Sequence, residues 1–264
     1  MSRPASAAEP LARLQEVVVA CRRCPRLVTY REGVAREKVR RHRNEVYWGR
    51  PLPSFGDPAA RLLVVGLAPA AHGGNRTGRM FTGDDSGHWL SRALYANGFA
   101  NQPTSSHRED GLRLKVAYIT ASLRCAPPKN RPTVQELANC QPYFLLELRL
   151  LSEVRVVVAL GRIAFDAYLR AREALGHPPV KPRPRFGHNR AWRFPEGVTL
   201  IASYHPSRQN TQTGKLTRRM FGAVFRKARH ASATPRQGTR DGAPRNPDHS
   251  SAAMASISIR QPAS

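Results

Sequence analysis

The 264-residue chain predicts an α/β fold, a three-layer α/β/α arrangement around a central, mostly parallel four-stranded sheet. Three observations carry this. Short, unbroken apolar runs recur along the chain, helical patterns separate them, and no linker-like stretch divides the sequence in the middle. A strand buried on both faces reads as a continuous apolar run, and strand–helix alternation folds into a parallel sheet flanked by helices.

The first run is 61–66 (RLLVVG), and similar runs lie at 116–121, 154–160 and 198–203. Helical patterns are predicted at 87–97, at 133–151, at 162–175 (RIAFDAYLRAREAL) and at 216–228. The second of these opens with Thr133-x-x-Glu136, the pattern of a capping box. Residues 177–191 (HPPVKPRPRFGHNRA) read as an excursion over the surface. The expected domain spans 11–230, with 1–10 and the Ser/Ala/Pro/Arg-rich 231–264 disordered on either side. Length permits about one to two domains. No oligomerisation pattern is present, so a monomer is expected.

Charge narrows the partners. Lys and Arg number 43 against 18 Asp and Glu, a net +25, with a sequence pI near 11.4. The first ten residues cancel and 231–264 carry +2, so +23 resides on 11–230. The positive charge belongs to the folded body, and a polyanion such as DNA is the expected partner. No apolar run approaches the ~18 residues of a membrane span, and the N-terminus lacks a signal pattern. A cytoplasmic protein with no membrane partner is expected.

In parallel sheets, ligands bind at the carboxyl ends of the strands, and here each such end leads into a distinctive loop. After the first strand comes GLAPAAHG (66–73), continuing to Phe81-Thr82-Gly83-Asp84. Its small residues allow a ligand close to the backbone, which places Gly66, Ala68, Ala70 and His72 at the substrate. The stretch GGNRTGR offers Asn75 and Arg76 to phosphate, although no Gly-Lys-Ser/Thr follows to make a Walker loop. Asp84 precedes a helix, so it also reads as a cap, with Asp85 or Ser86 as the other candidates. After the second strand, prolines bracket Lys129-Asn130-Arg131 and are expected to hold the backbone extended and stiff. Asn130 there presents a donor and an acceptor, matching the amide edge of a pyrimidine such as uracil; from the residue alone, a turn-forming Asn is the commoner reading. After the last strand, 204–214 (YHPSRQNTQTG) is almost continuously hydrogen-bonding. A loop that polar calls for an outside partner, with Ser207, Arg208, Gln209 and Asn210 directed to DNA. His205 at its start is placed to act as an electrophile or acid.

Four cysteines complete the pattern: Cys21-x-x-Cys24, then Cys125 and Cys140. Such a set suits an iron–sulfur cluster or zinc. A redox pair at Cys21 and Cys24 lacks the strand-to-helix turn of a thioredoxin-like unit.

GLAPAAHG with FTGD, RCAPPKN, and HPSRQNTQTG, in that order and with those cysteines, resemble the type-5 uracil-DNA glycosylases, over about 21–228. The resemblance implies a uracil-DNA glycosylase-like fold, a structural [4Fe-4S] cluster on Cys21, Cys24, Cys125 and Cys140, and removal of uracil from DNA. It also implies activity on hypoxanthine and related deaminated bases in some members. By position, Asp84 matches the family's catalytic carboxylate, Phe81 the aromatic that stacks on the flipped base, Asn130 the uracil-reading amide and His205 the catalytic histidine. Double- and single-stranded DNA containing deaminated bases is the implied partner. Two rivals remain on the residues alone. One is a metal-stapled, non-catalytic damage sensor that binds DNA. The other is a metal-dependent nuclease, which the lack of an acidic cluster near these loops disfavours.

Overall fold

A computed structural model describes residues 7–233. The chain opens with α1 (Ala8–Val19), which begins inside the segment expected to be disordered. It buries Leu11, Leu14 and Val18, which recur at helical spacing. A short link carrying Cys21 and Cys24 leads to α2 (Pro25–Glu37), opened by a proline in its first turn. After β1 (Phe55–Gly56) the expected alternation begins. β2 (Leu62–Gly66) is followed by the single turn α3 (Gly74–Thr77) and by α4 (Asp85–Ala96). β3 (Ala117–Ala121) leads to α5 (Val134–Leu150), and β4 (Val156–Leu160) to α6 (Arg162–Ala174). β5 (Ala191–Arg193) turns into β6 (Thr199–Ser203), followed by α7 (Arg208–Gln212) and α8 (Arg218–Ala233). The remainder of the tail expected to be disordered lies outside the described residues.

The sheet has six strands in the order β1-β3-β2-β4-β6-β5, which corrects the expected four. The predicted four form its parallel centre, and the two extra strands add antiparallel edges. The reason is physical. Every residue of β2, β3 and β4 is buried, whereas β1 has two residues and β5 reads exposed, half-buried, exposed, so neither edge makes an apolar run.

Alternate residues of each central strand face opposite layers. Leu62, Val64, Val156 and Val158 pack with Leu90 and Leu94 of α4 and Phe221 and Phe225 of α8. Leu63, Val65 and Val157 pack on the other side with Phe144 of α5, Phe165 of α6 and Leu11 of α1. A third, smaller core gathers Leu14, Val18, Leu27 and Tyr143 around Cys125 and Cys140. Among the described residues, no helix is long and apolar enough to cross a membrane.

β3 lies on one side of β2 and β4 on the other. The chain therefore reverses its winding at β2, and the crevice at the carboxyl ends of β2 and β4 is the site that this topology prepares.

Candidate active site

Gly66 ends β2, and the Phe81 ring lies on it: a Cβ at Gly66 would fall 2.8 Å from the ring edge. Phe81 itself holds φ +51, a conformation uncommon for a bulky residue and one that surrounding contacts must enforce. Its neighbours supply that enforcement. Thr82 is fully buried and bonds Arg79 and Ser105, while Arg79 donates to both carboxylate oxygens of Asp110 at 2.8 Å. From this clamp the Phe81 ring reaches the His205 ring, with centroids 6.0 Å apart and planes tilted by 33°.

Asp84 is the N-cap of α4, and its Oδ1 accepts the Gly87 N–H at 2.8 Å. Of the candidate caps, Asp84 takes the role, and Asp85 and Ser86 do not. Asp85 pairs instead with Arg208 (2.5 Å), and Ser86 Oγ donates to the Pro206 carbonyl (3.0 Å). The other carboxylate oxygen of Asp84 lies over Gly73, where a Cβ would fall only 2.1 Å away. Burial raises the Asp84 pKa above the ordinary carboxylate value, partly opposed by the Gly87 N–H. No cation pairs with this carboxylate among the described residues.

His205 follows β6, and its Cβ lies 3.6 Å from where Gly161, at the end of β4, would carry one. Gly161 has φ +93, which leaves the backbone there to glycine. Burial lowers the His205 pKa to about 4, so the imidazole is neutral at pH 7. The loops after β2, β4 and β6 thus meet at one point.

In the loop after β2, among the described residues, the N–H groups of Ala68, Ala70, Ala71 and His72 are given to no other backbone group. The Ala70 carbonyl accepts from Gly73 and Asn75, and His72 Nδ1 shares a hydrogen bond with the Tyr47 hydroxyl at 3.2 Å.

Asn130 departs from expectation in conformation. Its prolines do not hold an extended chain. The segment closes as a tight turn, with Asn130 N–H donating to the Pro127 carbonyl (3.1 Å) and both Lys129 and Asn130 at positive φ. Asn130 is exposed, and its side-chain amide has no hydrogen bond among the described residues.

Asn75 and Arg76, expected at phosphates, are buried. Asn75 donates to the Arg31 carbonyl (3.1 Å), while Arg76 holds the carbonyls of His72 (2.9 Å) and Gly83 (2.8 Å) and pairs with Glu45. They brace the loop from within. The 204–214 loop is likewise satisfied more by itself than expected. Asn210 donates to the His205 carbonyl (2.8 Å), Ser207 starts α7, and Arg208 is exposed in its pair with Asp85. Gln209 is exposed.

All four cysteines are unpaired and line one small enclosed cavity. N–H groups point at three of the sulfurs. Arg31 Nη1 lies 2.9 Å from Cys125 Sγ, the Arg124 N–H 3.4 Å from Cys140 Sγ, and Asn139 Nδ2 3.4 Å from Cys24 Sγ. Among the described residues, no group of three or more His, Cys, Asp or Glu is placed to hold a metal ion.

Comparison with known families decides the lineage: the model of the uracil DNA glycosylase superfamily matches residues 53–229. The chain belongs to that superfamily. It is 52% identical over 216 residues to a type-5 uracil-DNA glycosylase of Thermus thermophilus, covering 81% of this chain and 94% of that one. It is 48% identical over 226 residues to a type-5 enzyme of Mycobacterium tuberculosis, covering 85% and 83%. A type-4 uracil-DNA glycosylase of Sulfurisphaera tokodaii is 24% identical over 236 residues, covering 88% and 90%. Within this glycosylase superfamily the chain stands with the type-5 members.

Several residues that shape the glycosylase site escape a reading of motifs. Gly73 makes room for the Asp84 carboxylate, and Gly87 lets α4 close on the Phe81 carbonyl, 2.3 Å from a Cβ placed there. Gly73 ends GLAPAAHG, so its position just before a carboxylate-bearing turn was the available signal. Tyr204, stacked on His188 at 5.0 Å, and Arg31, beneath the cysteines, had no local signal.

Proposed function

We propose that this protein hydrolyses the N-glycosidic bond of uracil in DNA, and that hypoxanthine and other deaminated bases fall within its range. One observation carries the reading. A desolvated carboxylate in no ion pair among the described residues, Asp84, stands beside an aromatic ring and a neutral histidine at the switch point of the sheet. A binding protein gains nothing from that carboxylate, since it repels phosphate.

A base inside a duplex must be rotated out, at a cost of a few kcal/mol that is least for a mispaired base. The Phe81 ring replaces part of the lost stacking. As the bond breaks, positive charge develops on the sugar and negative charge on the base. Asp84, ionised above its raised pKa, stabilises the sugar cation or takes a proton from the attacking water. Neutral His205 offers an N–H to the departing base without adding a charge that phosphate would capture. The free N–H groups at 68–72 supply further donors, as an oxyanion hole does. Asn130, exposed and unbonded, supplies the pyrimidine-reading amide once DNA is bound.

Cys21, Cys24, Cys125 and Cys140 would hold a [4Fe-4S] cluster. The donor set, the cavity and the N–H groups aimed at sulfur all suit it. Zn²⁺, which accepts the same four-cysteine set, is the alternative. When bound, the cluster supplies a cross-link between the α1–α2 corner and α5, with no open position for chemistry. Brown colour and visible absorbance after anaerobic purification support this; a colourless zinc protein overturns it. Four free thiols also suit a cytoplasmic protein, acting on double- and single-stranded DNA as a monomer.

The test uses labelled duplexes carrying uracil, hypoxanthine or xanthine, with EDTA present, followed by alkali. Breaks at the modified base that require alkali support the reading. Direct nicking, or no product, sinks it.

A further inference from the structure

Residues 177–190 form a strap between α6 and β5 that the glycosylase site does not use. Its far end is fastened beside the catalytic histidine. Phe186 packs on Phe165 (5.7 Å) and Tyr204 (6.1 Å), His188 stacks on Tyr204, and His188 Nδ1 accepts the Tyr204 N–H at 3.2 Å. Asn189 N–H donates to the Ala202 carbonyl of β6 (2.7 Å), and Lys227 of α8 donates to the Asn189 carbonyl (2.6 Å). Tyr204 directly precedes His205, so the strap runs outward from the active site.

Between the strap, β5 and α8 lies a groove of about 860 Å³ lined by Arg183, Arg185, Arg190, Trp192 and Lys227 among others. All four cations are exposed, and no carboxylate lines the groove. None of the three arginines enters an ion pair among the described residues. Other concave surfaces differ: the one between α1 and α2 mixes its arginines with Glu16 and Glu32, and the one beside Trp89 includes Asp85. The strap alternates Lys181-Pro182-Arg183-Pro184-Arg185, with Pro184 buried and Arg183 and Arg185 exposed. Prolines fix φ, so Arg183 and Arg185, both exposed on either side of the buried Pro184, are held with little backbone freedom. Cations gathered in one groove without counter-charges repel one another, and a phosphodiester backbone relieves this while releasing condensed counterions.

We propose that this groove binds the phosphate backbone on one flank of the DNA whose extruded base occupies the Asp84–His205 site. The inference rests on the glycosylase reading and extends it, making recognition of the damaged strand asymmetric about the lesion.

The test compares wild type with Arg183→Gln/Arg185→Gln/Arg190→Gln on uracil duplexes with about ten base pairs on both sides, or about three on one side. On the long duplex, the variant is expected to bind on the order of tenfold or more weakly, with single-turnover excision at saturation unchanged. Its log Kd against log salt should flatten by about three units, roughly 0.9 for each lost phosphate contact. Truncating one particular flank should impose the same loss on wild type and none further on the variant. Arg→Lys at the three positions should restore the salt dependence, since lysine also pairs with phosphate as a point charge. Unchanged melting of the variant, whose substitutions are all exposed, shows that folding is intact. Equal weakening on every duplex regardless of truncation overturns the proposal, because that is general charge. So does unchanged DNA binding with lost affinity for poly-glutamate, which would assign the groove to an acidic protein. Wild type that excises no base but shows flank-dependent binding abolished in the variant would sink the glycosylase reading and leave the groove standing.

Discussion

Two carboxylates of this protein, the buried Glu147 and the half-buried Asp84, are treated in opposite ways. Glu147 of α5 is fully buried and saturated: it accepts from Gln15 (2.9 Å) and Thr120 (2.6 Å) and pairs with Arg124. Asp84, at the carboxyl end of the sheet, receives one backbone N–H and has its second oxygen against the bare backbone of Gly73. A carboxylate that holds structure is surrounded until its charge is compensated, whereas this one is desolvated and left short of partners. Burial without compensation raises the free energy of the charged form, which a proton or a developing positive charge nearby relieves. The contrast predicts that removing each negative charge has opposite consequences.

Glu147→Gln should have the largest effect, and on stability. It leaves Arg124 buried and uncompensated, a change that costs about 3–5 kcal/mol. Urea denaturation should show the loss, while excision per folded molecule stays near that of wild type. Asp84→Asn should do the reverse. Asparagine caps a helix as well as aspartate, so melting should hold or rise, while single-turnover excision falls about a hundredfold or more. Residual activity within a few-fold of wild type would break the comparison at its functional end.

Gly73→Ala sharpens the comparison without touching a charge. The new methyl must displace the Asp84 carboxylate, and a misplacement of about 1 Å in a reacting group costs up to about a hundredfold. A tenfold or greater fall in excision is expected, with DNA affinity unchanged. Normal excision would show that the placement of Asp84 is not critical.

The difference between the two carboxylates was only half visible in the sequence. The central strands were legible because burial on both faces leaves unbroken apolar runs such as VVVAL, and Thr133 and Glu136 form both hydrogen bonds of their capping box. The order of the motif loops was legible because chemistry concentrates where strands end. What motifs cannot report is who faces whom at long range. Glu147 reads as a surface residue of an amphipathic helix until Gln15 and Arg124, 132 and 23 residues away, are brought to it. Asn75 and Arg76 read as phosphate ligands because polarity and a glycine-rich context look the same inside and outside. α1 had a signal in Leu11, Leu14 and Val18, but α2 did not, because its buried Arg31 mimics a solvent-facing residue.

The smallest effect expected concerns pH, and it again sets two groups against each other. The His205 pKa in the folded protein is about 4, below the ~6.5 of an unperturbed histidine. Between these values the unfolded chain binds a proton that the native protein does not, so His205 makes stability fall as pH drops from about 6.5 to 4. Asp84 acts in the opposite sense. Its folded pKa is raised, so the native state holds its proton longer, and its burial penalty appears as pH rises through that raised value. Replacing His205 by Ala should therefore flatten the climb of Tm between pH 4 and 6.5. Because the ring is only partly shielded, the change should be on the order of 1 kcal/mol, or a few degrees. Excision should keep an acid limb in the His205 variant, since that limb belongs to Asp84, ionising above the ordinary carboxylate range. An acid limb that disappears with His205 would transfer the titrating role from the carboxylate to the imidazole.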